Sequence, residues 1–339
     1  MKSDSASTRS VHWPRRILVG FVLVLLIAAL AGFIYENVSE ARDRRFNPMP
    51  GRLVEVDGHK MHILCTGQGG PTVVLDSGLG DSFVSWRKVQ PQIAEFTRVC
   101  SYDRAGLGYS EPRDEPRTSR VMASQLHALL QAANIEPPYV LVGHSMAGYD
   151  VRLYANAYPS EVVGMVLVDA SHPDQENRFP LELKAMEGSW SREQEFITYT
   201  LPFGIPRLFG FCDDDPVERA AECNSNSARE QVAEMKAFPE SAAQTAKIGS
   251  LGSMPLVVLS HDPDRLKSEL PPDIAKSTNQ AWEKMQEELA HLSTRGTQTI
   301  SKNSSHYIQL DDPQLVISSV RNVVEQARNA QTPAVSATH

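Results

Sequence analysis

The sequence predicts an α/β protein built on a mostly parallel sheet with helices on both faces, and two observations predict it. Short runs rich in β-branched and apolar residues recur: "PTVVLDSGLG" (71–80), "RVCSYDRAGLG" (98–108), "YVLVGHS" (139–145), "VVGMVLVDAS" (162–171) and "MPLVVLSHDPD" (254–264). Runs without a polar face belong to strands covered on both sides. Stretches with helical spacing separate many of them, and this alternation is the pattern of parallel strands joined by crossover helices.

The elements follow in order. "ILVGFVLVLLIAALAGFIY" (17–35) holds nineteen uncharged residues and follows Lys2, Arg9, Arg15 and Arg16. That length spans a bilayer, and the preceding cations favour a cytoplasmic start. Residues 1–35 therefore read as a cytoplasmic N-terminus and a single-pass anchor in the cell membrane, with the rest of the chain extracytoplasmic. A signal peptide cleaved near Ala29-Leu30-Ala31 is the alternative, leaving a secreted or periplasmic protein. "ENVSEARDRRFNPMPG" (36–51) is charged and closes in Pro and Gly, so 36–50 reads as a linker. The folded core starts at 51, where "RLVEVDGHKMHILCTG" (52–67) has two strand-like runs about the turn pair Asp57-Gly58. "TSRVMASQLHALLQAANI" (118–135) and "MAGYDVRLYANAYP" (146–159) carry helical spacing. The first core part, 51–172, is followed by helical pieces and polar breaks without a strand over 173–252. An insertion there reaches the strand ends, where ligands of such sheets bind. The strand at 254–264, a helix at about 274–292, a strand at 297–301 and a helix at 313–328 make up a second core part, 253–330, before a tail at 331–339.

Composition narrows the function classes. With 339 residues and 41% hydrophobic content the chain can bury a large core. A net charge of −8 with no basic stripe argues against a nucleic-acid partner. No C-x-x-C or H-E-x-x-H spacing occurs, so no metal site is expected. Cys65, Cys100, Cys212 and Cys223 all follow the apolar run, and an even count in an exported domain permits two disulfides.

The chemistry centres on Gly143-His144-Ser145-Met146-Ala147, followed by Gly148, directly after the apolar run 139–142. A serine in G-x-S-x-G between strand and helix sits on a sharp elbow, where bulky neighbours would clash. Ala147 stands where the last Gly would be and is still small. A serine that merely caps the next helix is the plain alternative. As a nucleophile Ser145 needs a base. Of the ten histidines, His306 in "NSSHYIQLDDPQLV" (303–316) lies in a loop between the last strand and last helix. His59 and His62 belong to the hairpin, His127 and His291 to helices, and His144 is expected to leave the elbow in another direction.

The phrases "HILCTGQGGPTVVLDSGLGDS", "RVCSYDRAGLGYS", "LVGHSMAG", "GMVLVDASHPDQ" and "SSHYIQLDDPQLV" resemble, in that order, the α/β-hydrolase superfamily and especially its exported, N-terminally anchored bacterial members. The resemblance spans residues 51–328. It implies an eight-stranded sheet with the second strand antiparallel, a helical cap between strands six and seven, and no cofactor. It also implies Ser145 as nucleophile, His306 as general base, and the backbone amides of Leu79 and Met146 as oxyanion donors. For the acid it leaves a choice. Asp169 ends strand six and is preferred; Asp264 after strand seven is the alternative, with Asp262 beside it. Asp103 and Arg104 fall in a turn that braces the fold. Cys65 and Cys100 fall on neighbouring strands and Cys212 and Cys223 within the cap, as disulfides or as buried thiols. Asp213, Asp214 and Asp215 read as a solvated face, with calcium a weaker alternative. "LPFGIPRLFGF" (201–211) is apolar enough to line an acyl pocket, to touch lipid or to pack within the cap.

The expected reaction is hydrolysis of a carboxylic ester, a small molecule or a lipid, through an acyl-enzyme. A serine nucleophile argues against dehalogenase and epoxide-hydrolase chemistry, which in this fold uses aspartate. Peptidase, acyltransferase and haloperoxidase-like activities share the triad. A membrane-tethered ligand-binding protein on the same scaffold is a rival from another class.

Overall fold

Period-two alternation of buried side chains builds the two layers of this fold. The computed structural model describes residues 13–265 and 270–331. Its described strands are β1 Arg52–Val56, β2 His59–Thr66, β3 Thr72–Asp76, β4 Val99–Tyr102, β5 Tyr139–His144, β6 Val162–Val168, β7 Leu256–Ser260 and β8 Gly296–Ile300. They form one sheet in the order β1-β2-β4-β3-β5-β6-β7-β8. β2 runs antiparallel to β1 and β4, and the remaining pairs are parallel. The long helices are α1 Trp13–Phe46, α2 Ser119–Ala132, α3 Ala147–Ala157, α4 Leu181–Thr200, α5 Ser225–Thr245, α6 Pro272–Ala290 and α7 Pro313–Gln331.

Val74, Leu141, Met165, Leu167 and Val258 point into one layer with Leu126 and Leu129 of α2 and Val151 of α3. Val73, Leu75, Val142, Val166 and Leu259 point into the other with Val316, Val320 and Val324 of α7. The helix α7 approaches so closely that a Cβ on Gly164 of β6 would lie 2.3 Å from Val323 Cγ1. Between β3 and β5 the chain order reverses, which opens a crevice beyond their carboxyl ends. Between β6 and β7 the described chain is helical, with α4 and α5 as the main pieces of the cap.

Residues 36–50 correct the linker expectation, because α1 continues as one helix to Phe46. No Gly or Pro interrupts 36–46, and Glu40 pairs with Arg44 at 3.3 Å in the i,i+4 arrangement. Tertiary contacts add to this: Arg207 bonds both Glu36 and Asp43, and the Arg44 guanidinium lies over the Tyr109 ring. Pro48 then disfavours helix at Asn47. Residues 1–12, expected from the sequence to be cytoplasmic, and the tail beyond 331 lie outside the described residues.

Both cysteine pairs are bonded, Cys65 to Cys100 and Cys212 to Cys223. Cys65 and Cys100 are register partners across β2 and β4. Their bond closes a sequence separation of 35 residues. Cys65→Ala/Cys100→Ala is expected to lower unfolding stability by about 3–4 kcal/mol through the freed unfolded chain, measured by denaturant titration against the parent protein.

Candidate active site

Ser145 follows β5 with φ at +54°, a left-handed conformation that a serine adopts only under constraint. The constraint is local crowding. A Cβ on Gly143 would lie 2.7 Å from the Ala147 carbonyl oxygen, and one on Gly148 would lie 2.5 Å from Ala170 Cβ. The Ser145 N–H donates to the Val168 carbonyl at 3.1 Å, and its carbonyl accepts from the Ser171 N–H at 2.9 Å. The end of β6 thus clamps the elbow, and α3 begins two residues later.

Asp169 sits directly after β6, also left-handed at φ +45°, and is fully buried. Four donors converge on its carboxylate: His306 Nδ1–H at 2.6 Å, His261 Nδ1–H at 2.9 Å, the His261 backbone N–H at 3.0 Å and Trp282 Nε1–H at 2.9 Å. Burial pushes this carboxyl upward, but His261 and His306 more than offset it and hold it well below the usual carboxylate range. A proton on His306 Nδ1 leaves Nε2 as the acceptor of that imidazole. The His306 backbone is fixed as well, since its carbonyl accepts from His144 Nε2–H at 3.0 Å, with the two rings 4.7 Å apart. The His144 side chain thus leaves the elbow toward the loop that carries His306. Burial holds its pKa below the ordinary imidazole value.

Asp264 is exposed, and its N–H donates to Asp262 Oδ1 at 2.9 Å. Asp262 Oδ2 in turn accepts from the Asn303 N–H at 2.7 Å, tying the loop after β7 to the loop after β8. The acid that His306 bonds is Asp169.

Leu79 lies in the turn after β3. Among the described residues neither its amide nor that of Met146 donates to a protein acceptor. Arg104 sets the turn: its guanidinium donates to Ser77 O at 2.5 Å, Gly78 O at 2.6 Å, Asp76 Oδ1 at 3.0 Å and Glu234 of α5 at 2.8 and 2.9 Å. Glu234 also accepts from the Gly80 N–H and from Arg117, at 2.9 Å each. Asp103, next to Arg104, accepts from the Phe83 N–H, the Tyr109 N–H and His62. Gly78 is required by close approach, since a Cβ there would lie 2.8 Å from His144 Nδ1. Gly78→Ala is expected to displace the Leu79 amide and to lower kcat by about two orders of magnitude; steady-state kinetics beside a melting curve separates this from unfolding.

Ser145, Asp169, His306 and Leu79 line one cavity of about 830 Å³, roofed by Leu183 and Trp190 of the cap. Among the described residues no hydrogen bond joins the Ser145 hydroxyl to the His306 ring, and such bonds commonly close only around substrate. A second cavity of about 570 Å³ shares Asp81 and Trp190 with the first. No group of three His, Cys, Asp or Glu side chains among the described residues is arranged to hold a metal. Beside the cavity His172 is held low, at about 4, by burial and by the Arg178 and Arg152 charges. Its unfolded form takes a proton near pH 6.5, so its contribution to stability is present above that pH and is lost as pH falls toward 4. His172→Gln should flatten that part of a melting-temperature profile against pH.

A family model described as the alpha/beta hydrolase fold matches residues 71–208. The solved structure of a putative lipase from Acinetobacter baumannii superposes with a TM-score of 0.62 at 20% identity, covering 87% of this chain and 97% of that one. The chain has the α/β-hydrolase fold, and residues 71–208 match its family model. Among curated relatives of this chain, the uncharacterized protein YqjL of Bacillus subtilis is 26% identical over 79% of this chain and 89% of its own length. YbdG of the same organism is 27% identical over 47% of this chain, and the match spans 50% of YbdG's own length.

Sequence reasoning missed His261, Trp282 and Glu234. His261 carried a usable signal, being the residue after β7 in "VVLSHDPD". Trp282 and Glu234 carried none, because long helices bring them in from far along the chain.

Proposed function

We propose that this chain is a serine hydrolase that cleaves carboxylic esters through an acyl-enzyme on Ser145, anchored in the cell membrane by α1 with its catalytic domain on the extracytoplasmic side. The observation that supports this most is the 2.6 Å bond from His306 to the buried Asp169, in a cavity that Ser145 also lines. In this reading His306 Nε2 accepts the Ser145 proton as Oγ attacks the ester carbonyl. The oxyanion is held by the Leu79 and Met146 amides, and protonated Nε2 then returns its proton to the departing alcohol. Water, activated by the same nitrogen, releases the acid. Asp169 stays ionised, holding the imidazole tautomer and stabilising the imidazolium. The apolar roof from Leu183, Trp190 and Phe238 suits an acyl chain. The names of the A. baumannii putative lipase and of a solved esterase from Thermogutta terrifontis support the ester class.

A fluorophosphonate probe tests the reading. Covalent labelling of the parent chain and none of folded Ser145→Ala is expected; a folded parent that resists the probe would favour a ligand-binding role.

A further inference from the structure

We propose that the cap segment 201–211 is a bilayer-contacting shelf, held in the headgroup region beside α1, so that the cap meets the membrane from which the reactive cavity draws its ester. The proposal rests on the anchor reading of α1. Its basis is a ladder of contacts between the end of the apolar stretch and the cap. A Cβ on Gly32 would lie 2.3 Å from the Phe203 carbonyl oxygen, and one on Gly204 would lie 2.7 Å from the Tyr35 ring. Directly after Tyr35, Glu36 takes two hydrogen bonds from Arg207 at 3.1 Å each. About two turns further on, Asp43 pairs with Arg207 at 2.5 Å and with Arg219 at 3.4 Å.

These contacts fix depth. The uncharged run ends at Tyr35, so Glu36 marks the edge of the hydrocarbon, and Gly32 lies about 6 Å inside it at the helical rise of roughly 1.5 Å per residue. A segment locked to Gly32, Tyr35 and Glu36 is held at that edge. Its side chains suit the position, because Leu208, Phe209 and Phe211 are 65%, 75% and 57% exposed. Apolar exposure gathered in one patch marks an interaction surface, and amphipathic or aromatic contact at the headgroup level is favourable. The occupant is lipid because the apolar side chains of α1 leading up to this patch are themselves exposed. Pro206 and Phe211 also line the second cavity, which shares Asp81 and Trp190 with the reactive one. An ester resident in the membrane thereby has a path to Ser145 beside the shelf.

The test uses the full chain in phosphatidylcholine vesicles with one photoreactive residue at a time: Leu25→p-benzoylphenylalanine, Phe209→p-benzoylphenylalanine and, at the far sheet edge, Ile300→p-benzoylphenylalanine. Illumination and mass spectrometry are expected to give lipid adducts at 25 and 209 and none at 300. Adducts at 25 without 209 would remove the shelf and leave the anchor; no adduct at 25 would remove both. Adducts at 300 equal to those at 209, or protein rather than lipid adducts at 209, would also overturn the shelf. As a functional arm, Leu208→Ser/Phe209→Ser is expected to lower the rate on a vesicle-embedded ester about tenfold while a water-soluble short-chain ester turns over as before. A parallel fall on both substrates, or none on either, overturns the proposal.

Discussion

Ser145→Ala is expected to lower kcat on a p-nitrophenyl ester by about six orders of magnitude, leaving only the residual acceleration of an oxyanion site and binding. Ser171 and Ser305 also line the cavity, so the prediction discriminates between hydroxyls. Only Ser145 stands on the left-handed elbow directly before a helix, with the uncommitted Met146 amide beside it. Ser171→Ala should keep nearly full turnover. Single-turnover kinetics on both folded variants is the measurement; Ser145→Ala within a hundredfold of the parent would move the nucleophile elsewhere.

Asp169→Asn is expected to cost about four orders of magnitude in kcat, because an amide in place of the carboxylate favours the wrong His306 tautomer. It should also cost stability, on the order of 3 kcal/mol, since a buried charge that accepts four hydrogen bonds is lost while His261 and Trp282 still present their donors. The pH dependence has a definite sign. The folded carboxyl lies far below the unfolded value of about 3.9. Its stabilisation is therefore full above that value and is lost as pH falls through the folded one. Acid unfolding below about pH 4 should be shallower in Asp169→Asn than in the parent. Near neutrality Asp169 does not titrate, so a loss of activity on acidification there does not come from its carboxyl.

Much of this architecture was legible because its signals are local. A strand buried on both faces must be a short apolar run, and 71–80, 139–145 and 162–171 each carry one of the strands that bear on the site. Ser145 and His306 stood out because strand ends and short loops are where side chains can converge. The choice of acid was not local. Asp169 and Asp264 both follow strands, and the difference between them lies in what packs around each: Asp169 meets His261 and Trp282, whereas Asp264 is exposed. The helix through Phe46 was hidden for a related reason. A charged stretch ending in proline reads as linker unless its tertiary partner, here Arg207, is known.

Glu234 belongs to the cap, yet it completes the buried ion cluster that positions the turn carrying Leu79. Swinging α5 outward would strand Arg104 and Arg117 among buried groups, a cost of about 3–5 kcal/mol. The cap therefore cannot breathe as a single leaf. Entry falls to α4, whose Trp190, Phe196 and Tyr199 are already exposed and whose charged tie to α5, Glu195 to Lys236, is an outward one. One doorpost is thus tied into the turn that carries Leu79, and the other jamb is fastened from outside.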